Sequence, residues 1–289
     1  MPKTSLVSTA TSQISPSSAH SPTFGTELRR WRTLRRVSQL ELANRAGTTQ
    51  RHLSFMEQGR SHPGRPIVLR LAESLRLTLR ERNALLFSAG YAPAYEETSY
   101  DAPAMAPVRE ALERVIEGHL PYPALVLRRP GRVVAANRAF SVFLEGCSPE
   151  LLTPPINLLR IMLHPDGVAP RVANLAQWGR HVIDNLRLLA LQSPDRGMEE
   201  LAKELAGYVP DAPVDQTYLG FAVPMRLSVA EGELRLMTAL TAFATAVDVT
   251  VAESVLESFL PADAETAEIL AERDRKAAER GEQRLLAGL

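Results

Sequence analysis

The chain has 289 residues, 45% of them hydrophobic, and 33 basic residues against 33 acidic ones, so it is too long for one small domain, too apolar for a disordered protein and formally neutral. Its one cysteine, Cys147, excludes an intrachain disulfide and a cysteine-rich metal site, fits a reducing compartment, and reads as a small buried hydrophobe. No apolar run approaches the roughly 18–20 residues of a membrane helix, and no charged flank and apolar core mark a signal peptide, so a cytoplasmic protein without membrane insertion is expected.

Residues 1–23 are rich in Ser, Thr and Pro, cannot repay the entropy of folding, and read as a disordered arm. With Lys3 as its only cation, this arm is a poor reader of a minor groove. Residues 24–92 read as a compact helical domain. From Phe24 to Pro93 there are 13 Arg, no Lys and 5 acidic residues, a charge of +8 balanced by −8 elsewhere. A concentrated positive module attracts phosphate by counterion release, and the acidic remainder argues against unspecific coating of nucleic acid. Thr26–Arg36 is expected as the first helix, with Leu28, Trp31 and Leu34 on one stripe and Arg29, Arg30, Arg32, Arg35 and Arg36 around the rest, where they can meet a DNA backbone.

Ser38–Gly59 follows with the punctuation of two short helices. Ser38 and Glu41 form a capping box, Gly47 stops the first helix in a conformation that only glycine adopts freely, and Thr48 or Thr49 caps the second. Leu53 and Met56, three apart, face inward and leave Gln50, Arg51 and Ser54 outward on the first turns. Gln can pair bidentately with adenine and Arg with guanine, which suits a major groove. In the loop QGRSHPGRP, Arg60, Ser61 and Arg65 are donors for phosphate. His62 has no second ligand at metal spacing. Pro66 opens a fourth helix carrying Ile67, Leu71 and Leu75, and Thr78 with Glu81 caps a fifth that ends at Gly90.

This arrangement resembles the helix-turn-helix of the phage repressor and Cro (XRE) family, with the GTTQ turn and the later E-x-G in the family's places. The resemblance implies a five-helix lambda-repressor-like DNA-binding domain in which Gln39 braces a phosphate and Gln50, Arg51 and Ser54 meet base edges. The DNA-binding set is then Gln39, Thr49, Gln50, Arg51, Ser54, Arg60, Ser61 and Arg65. Phe55 departs from the pattern: it either touches a thymine methyl or packs inward.

Residues 93–106, with Pro93 and Pro103 flanking YEETSYD, read as a linker, with Tyr91 and Tyr95 free to pack on a domain. From 107 to 270 an α+β unit is expected. It has a helix at Val108–Glu117, two apolar strands split by Arg128-Arg129-Pro130-Gly131, a helix from Asn137 carrying Phe140, Phe143 and Leu144, then helices at Ile156–Leu163, Arg171–Leu191 and Met198–Ala206. Strand-like runs at Tyr218–Val229, Glu233–Phe243 and Glu253–Phe259 complete an antiparallel sheet. Asp263–Arg284 reads as charged and helical, solvated or paired with a partner, and residues 271–289 as a charged C-terminal tail.

The second half resembles the ligand-binding domain of MmyB-like transcription regulators, a PAS-like fold, through YPALVL (122–127), AANRAF (135–140), INLLRIMLHPDG (156–167) and VTVAESVLESFLPAD (249–263). The resemblance implies a long-chain fatty acid or similar lipid as effector and no other cofactor. The candidate lining is Asn137, Phe140, Phe143, Leu159, Arg160, Met162, Leu163, Trp178, His181, Phe221 and Phe243, joined by Met225, Leu236 and Met237; such residues also describe any core. Arg160, His164, Arg180 and His181 are the candidate partners of a carboxylate head. No phosphate loop, G-x-S-x-G elbow or H-E-x-x-H is present, so no enzyme is expected. The expected protein is a homodimer reading an inverted-repeat operator in double-stranded DNA. The alternative keeps the DNA-binding domain and makes the second half a dimerisation or protein-interaction module without ligand.

Overall fold

A computed structural model describes residues 23–192, 196–212, 223–243, 245–282 and 286–287. The chain forms two compact units, the first ending at Ala94.

The first unit is five helices: α1 (Phe24–Leu34), α2 (Gln39–Arg45), α3 (Gln50–Glu57), α4 (Arg65–Ser74) and α5 (Leu79–Ser88). Helix α1 starts two residues before the expected Thr26, because the Thr23 hydroxyl accepts the Thr26 N–H at 3.4 Å, and Thr23 is thereby a cap rather than the end of an arm. It also ends earlier, with Arg36 in the left-handed conformation at φ 54°. Apolar residues at helical spacing, among them Leu28, Trp31, Leu42, Leu53, Met56, Leu71 and Leu85, close one core. Residues 1–22 of the expected arm lie outside the described residues.

The second unit opens earlier than its strands. Residues 96–105, expected as linker, are tied to it: the Glu96 carbonyl accepts the Val249 N–H at 2.8 Å, the Thr98 N–H donates to Asp248 at 3.0 Å, and Tyr100 and Met105 are buried. Helix α6 (Ala106–Glu117) leads into β1 (Ala124–Arg128) and β2 (Arg132–Ala136), a hairpin turned at Gly131 with φ 87°. Helices α7 (Ser141–Leu144), α8 (Leu158–Leu163), α9 (Leu175–Gln192) and α10 (Arg196–Ala206) precede β3 (Met225–Val229) and β4 (Gly232–Ala242). A short α11 (Val249–Ala252), β5 (Ser254–Pro261), α12 (Ala264–Glu279) and the two-residue β6 (Leu286–Ala287) complete it. Residues 218–222 of one expected strand lie outside the described residues.

All strand pairs are antiparallel, in the order β3-β4-β5-β1-β2-β6, so β5, last of the long strands, sits at the centre. This α+β unit, with α7–α10 inserted between β2 and β3, has the expected PAS-like arrangement. Strand alternation splits its apolar residues into two clusters. One face of the sheet carries Leu125, Leu127, Met225, Leu236 and Phe259 and packs against Phe140, Phe143 and the buried sides of α8, α9 and α10. The other carries Val126, Val134 and Leu256 and is covered by Leu112 and Ile116 of α6 and by Tyr100. The charged helix expected from Asp263 forms as α12, with the Asp263 carboxylate accepting the Thr266 N–H at 2.8 Å, but it runs through residue 271 as a packed element rather than a tail, burying Ala277 and pairing Asp274 with Arg138 at 2.7 Å.

Candidate DNA interface and effector face

Each turn of the helix-turn-helix is held by a local hydrogen bond. The Ser38 hydroxyl accepts the Glu41 N–H at 3.1 Å and starts α2, but only half of the capping box forms, since the Glu41 carboxylate turns to Arg45 instead. Gly47, at φ 63°, ends α2, and Thr49 rather than Thr48 caps α3 by accepting the His52 N–H at 3.1 Å. The Thr48 hydroxyl meets His52 Nδ1 at 3.0 Å.

On α3, Leu53 and Met56 are buried, Gln50 and Arg51 are exposed and Ser54 is half-buried, hydrogen-bonded to Gln58 at 2.9 Å. Phe55 is half-buried and lies under the Arg51 guanidinium, 5.4 Å from the ring centre, so it supports an arginine as well as packing. Behind them sits a polar knot. The Glu57 side chain, only 3% exposed, accepts Arg32 Nε at 2.6 Å and the amide of Gln39 at 2.8 Å, binding α1 and the start of α2 to the end of α3. Gln39 thus has one amide N–H committed inward and a second to offer a phosphate.

Arg60 and Arg65 are exposed and Ser61 is half-buried, in a loop that Tyr91 braces by donating to the Pro63 carbonyl at 2.9 Å. The arginines of α1 divide: Arg30 bonds Glu27, Arg32 belongs to the knot and Arg35 donates to the Leu75 carbonyl, whereas Arg29 and Arg36 are exposed.

In the second unit the sheet face that meets α8–α10 gathers Phe140, Phe143, Met162, Leu163, Trp178, Met225 and Leu236 into one cluster, with ring centres 5.4 Å apart for Phe140–Phe143 and 4.6 Å for Phe143–Phe259. Other candidates lie elsewhere. Met237 alternates with Leu236 and so points to the opposite face, where it is 41% exposed. Phe243 packs with the cluster under α6, also away from this face. Leu159 lies at the edge of the cluster, against Gly131 in the β1–β2 turn. Asn137 is fully buried, but its whole side chain serves the backbone: it accepts the Ala124 N–H at 3.1 Å and donates to the Ile116 and Tyr122 carbonyls at 2.9 Å each. Phe221 lies outside the described residues.

The candidate head-group partners are engaged elsewhere too. Arg160 pairs with Glu204 through two 2.8 Å bonds, Arg180 with Asp211 and the Ala212 carbonyl, and exposed His181 with Asn185. His164 packs edge-on to Tyr208 and accepts the Asp166 N–H. Cys147 is half-buried, as befits a small hydrophobe; its thiol donates to the Phe143 carbonyl at 3.1 Å, and burial pushes its pKa up.

One residue of this face was not singled out from the sequence. Glu257 on β5 is paired in register with Leu125 and Leu240 and shares the face of Phe259. It is half-buried, and burial pushes its carboxyl up to about 7. Its only sequence signal was the acidic place in the alternation V-L-E-S-F.

Against known proteins, a helix-turn-helix domain model matches residues 23–85 and the model of the MmyB-like transcription regulator ligand binding domain matches residues 108–272. No curated protein matches the chain. Among solved structures, "Structure of an RNA-binding Light-Oxygen-Voltage Receptor" aligns at 14% identity and a TM-score of 0.27, covering 89% of this chain and 65% of that one, so the chain spans just under two thirds of that structure. The ligand-binding-domain match alone covers more than half of the sequence, and the chain belongs to the MmyB-like transcription regulators.

Proposed function

We propose that the protein is a cytoplasmic, sequence-specific DNA-binding regulator that works as a homodimer on an inverted repeat, and that its second unit holds a small apolar effector of the long-chain fatty acid type. The observation that carries the DNA half is the outward pair Gln50 and Arg51 on the first turn of α3, fixed by the Thr49 cap and the Glu57 knot. One such module touches too few base pairs for useful specificity, hence the dimer, with half-sites about one helical turn, ~34 Å, apart. Arg60, Ser61 and Arg65 flank the phosphates and Arg51 reads a base. Arg51→Ala then loses discrimination at one base pair per half-site, by on the order of 1–3 kcal/mol, whereas Arg65→Ala weakens all sequences alike and lowers the salt slope. Wild-type operator binding by Arg51→Ala rejects this orientation of α3.

The effector half is supported by the membership in a ligand-binding family and by the clustered aromatic and Met side chains. If the effector regulates, operator affinity and effector affinity change by the same factor, each in the presence of the other ligand. Operator titration of delipidated protein, with and without a saturating long-chain fatty acid, measures this. Equal operator affinity with a demonstrably bound lipid reduces the lipid to a structural filler. Native mass spectrometry of the purified protein separates the effector reading from a solid dimerisation module: a retained small molecule supports the first, an empty mass the second.

A further inference from the structure

On the sheet face that meets α8–α10, strand alternation places one ionisable side chain among the described strand residues, Glu257. Its register partners are Leu125 and Leu240, and its neighbours along β5 on the same face are Val255 and Phe259. No described residue gives its carboxyl a hydrogen bond or an ion pair. Glu257 is half-buried, and a carboxylate held against an apolar face without a partner is less well solvated than one in open water. Position sharpens the point. Phe259 is fully buried on this face while Leu240, beside Glu257, is 65% exposed, so the acid stands where the packed apolar face gives way to an accessible apolar surface.

An apolar face with one charged group among its strand residues is a way for a protein to orient a ligand that is otherwise hydrocarbon. An acid in that place selects the ligand's polar end by charge. It accepts from a hydroxyl or an amine, and it repels an anion, for which no compensating cation faces it on these strands.

We infer that Glu257 is the polar contact of the effector face and that the effector presents to it a hydrogen-bond donor, a hydroxyl or an amine, rather than a bare carboxylate. This rests on reading the second unit as an effector-binding domain, and it narrows that reading: a fatty acid is accepted as the neutral acid, sharing its proton with Glu257, and its anion is disfavoured.

The test uses the delipidated full chain and three probes of one chain length, lauryl alcohol, laurylamine and laurate, titrated below their micelle thresholds at mildly alkaline pH. The expected ranking in the unaltered protein is alcohol and amine over laurate by about tenfold. Glu257→Gln, nearly isosteric and able to donate to a carboxylate, is expected to close the laurate gap and to weaken laurylamine by about tenfold. Ser258→Ala, on the opposite face of β5, is expected to leave the ranking unchanged. Laurate binding as tightly as the alcohol overturns the inference without any variant having to fold, and so does an unchanged ranking in Glu257→Gln. If none of the probes binds, the effector reading itself fails and takes this inference with it; if they bind without discrimination, only the inference fails.

Discussion

Asn137→Ala tests whether a fully buried polar side chain in the family-like segment AANRAF holds the fold or holds the ligand. In the structure all three of its hydrogen bonds go to backbone, at 2.9–3.1 Å, joining the end of α6, the approach to β1 and the end of β2. Truncation leaves the Ala124 N–H without an acceptor and weakens the Ile116 carbonyl little, since that carbonyl also accepts the His119 N–H at 3.1 Å. One orphaned donor, one orphaned carbonyl and a small void sum to about 3 kcal/mol. For a unit of this size that lowers the melting temperature by roughly 6–12 °C. Asn137→Asp, which turns a carboxylate toward two carbonyls, costs more. Calorimetry with and without a bound lauryl probe reads both quantities. The expected result is an equal loss in the free and the loaded protein, with probe affinity of the folded fraction unchanged. An unchanged melting temperature, or a normal melt with lost probe binding, refutes the assignment and makes Asn137 a ligand contact.

Gly25→Ala is expected to destabilise the first unit by several kcal/mol, because a Cβ there meets the Met56 and Glu57 carbonyl oxygens at 2.6 and 2.7 Å; a chemical melt of the front domain's Trp31 fluorescence shows it. Phe55→Ala removes the ring beneath Arg51 and is expected to cost about 0.5–1 kcal/mol of discrimination at the base pair Arg51 reads, measured by competition binding, with non-operator binding unchanged. Glu257 gives a pH signature. Its folded pKa lies above the unfolded value of 4.5, at about 7, so its contribution to stability is complete below about 4.5 and is lost as the pH rises through about 7. Glu257→Gln is therefore expected to melt higher than the unaltered protein above pH 7 and to lose that slope; a steeper slope in the variant counts against the burial.

The helix-turn-helix was legible because its signals are local. Ser38, Gly47, Thr49, Leu53 and Met56 each act within one turn of the chain, and each occupies the place its spacing demanded. The one local misreading, Glu41 answering Arg45 rather than the backbone, is a choice between two partners on the same helix turn that spacing does not decide. Sheet order and the faces of β4 are set by pairing between distant segments. Alternation states that Leu236 and Met237 point oppositely but not which one points to α8–α10, and Phe243 was misplaced for the same reason. Residues 96–105 looked like linker because prolines and acids suggest solvent. Their bonds are to Val249 and Asp248, some 150 positions on, and nothing nearby in sequence announces them. Glu257 was passed over because a charged residue in an alternating strand ordinarily faces water.

The thiol of Cys147 turns the second unit into a clock for its own opening. Because the sulfur is half-buried, donates to the Phe143 carbonyl and has its pKa raised by burial, it is a slow nucleophile while α7 is packed. As the chain's only cysteine, it reports from a single place in any alkylation experiment. Its rate of modification by a maleimide then reports how often the turn after α7 releases its hold on the carbonyl of Phe143, the residue at the centre of the aromatic cluster. A ligand seated against that cluster slows the reaction in proportion to its occupancy, so one unlabelled protein, one reagent and a mass spectrometer suffice to rank effectors by how firmly they hold the face shut.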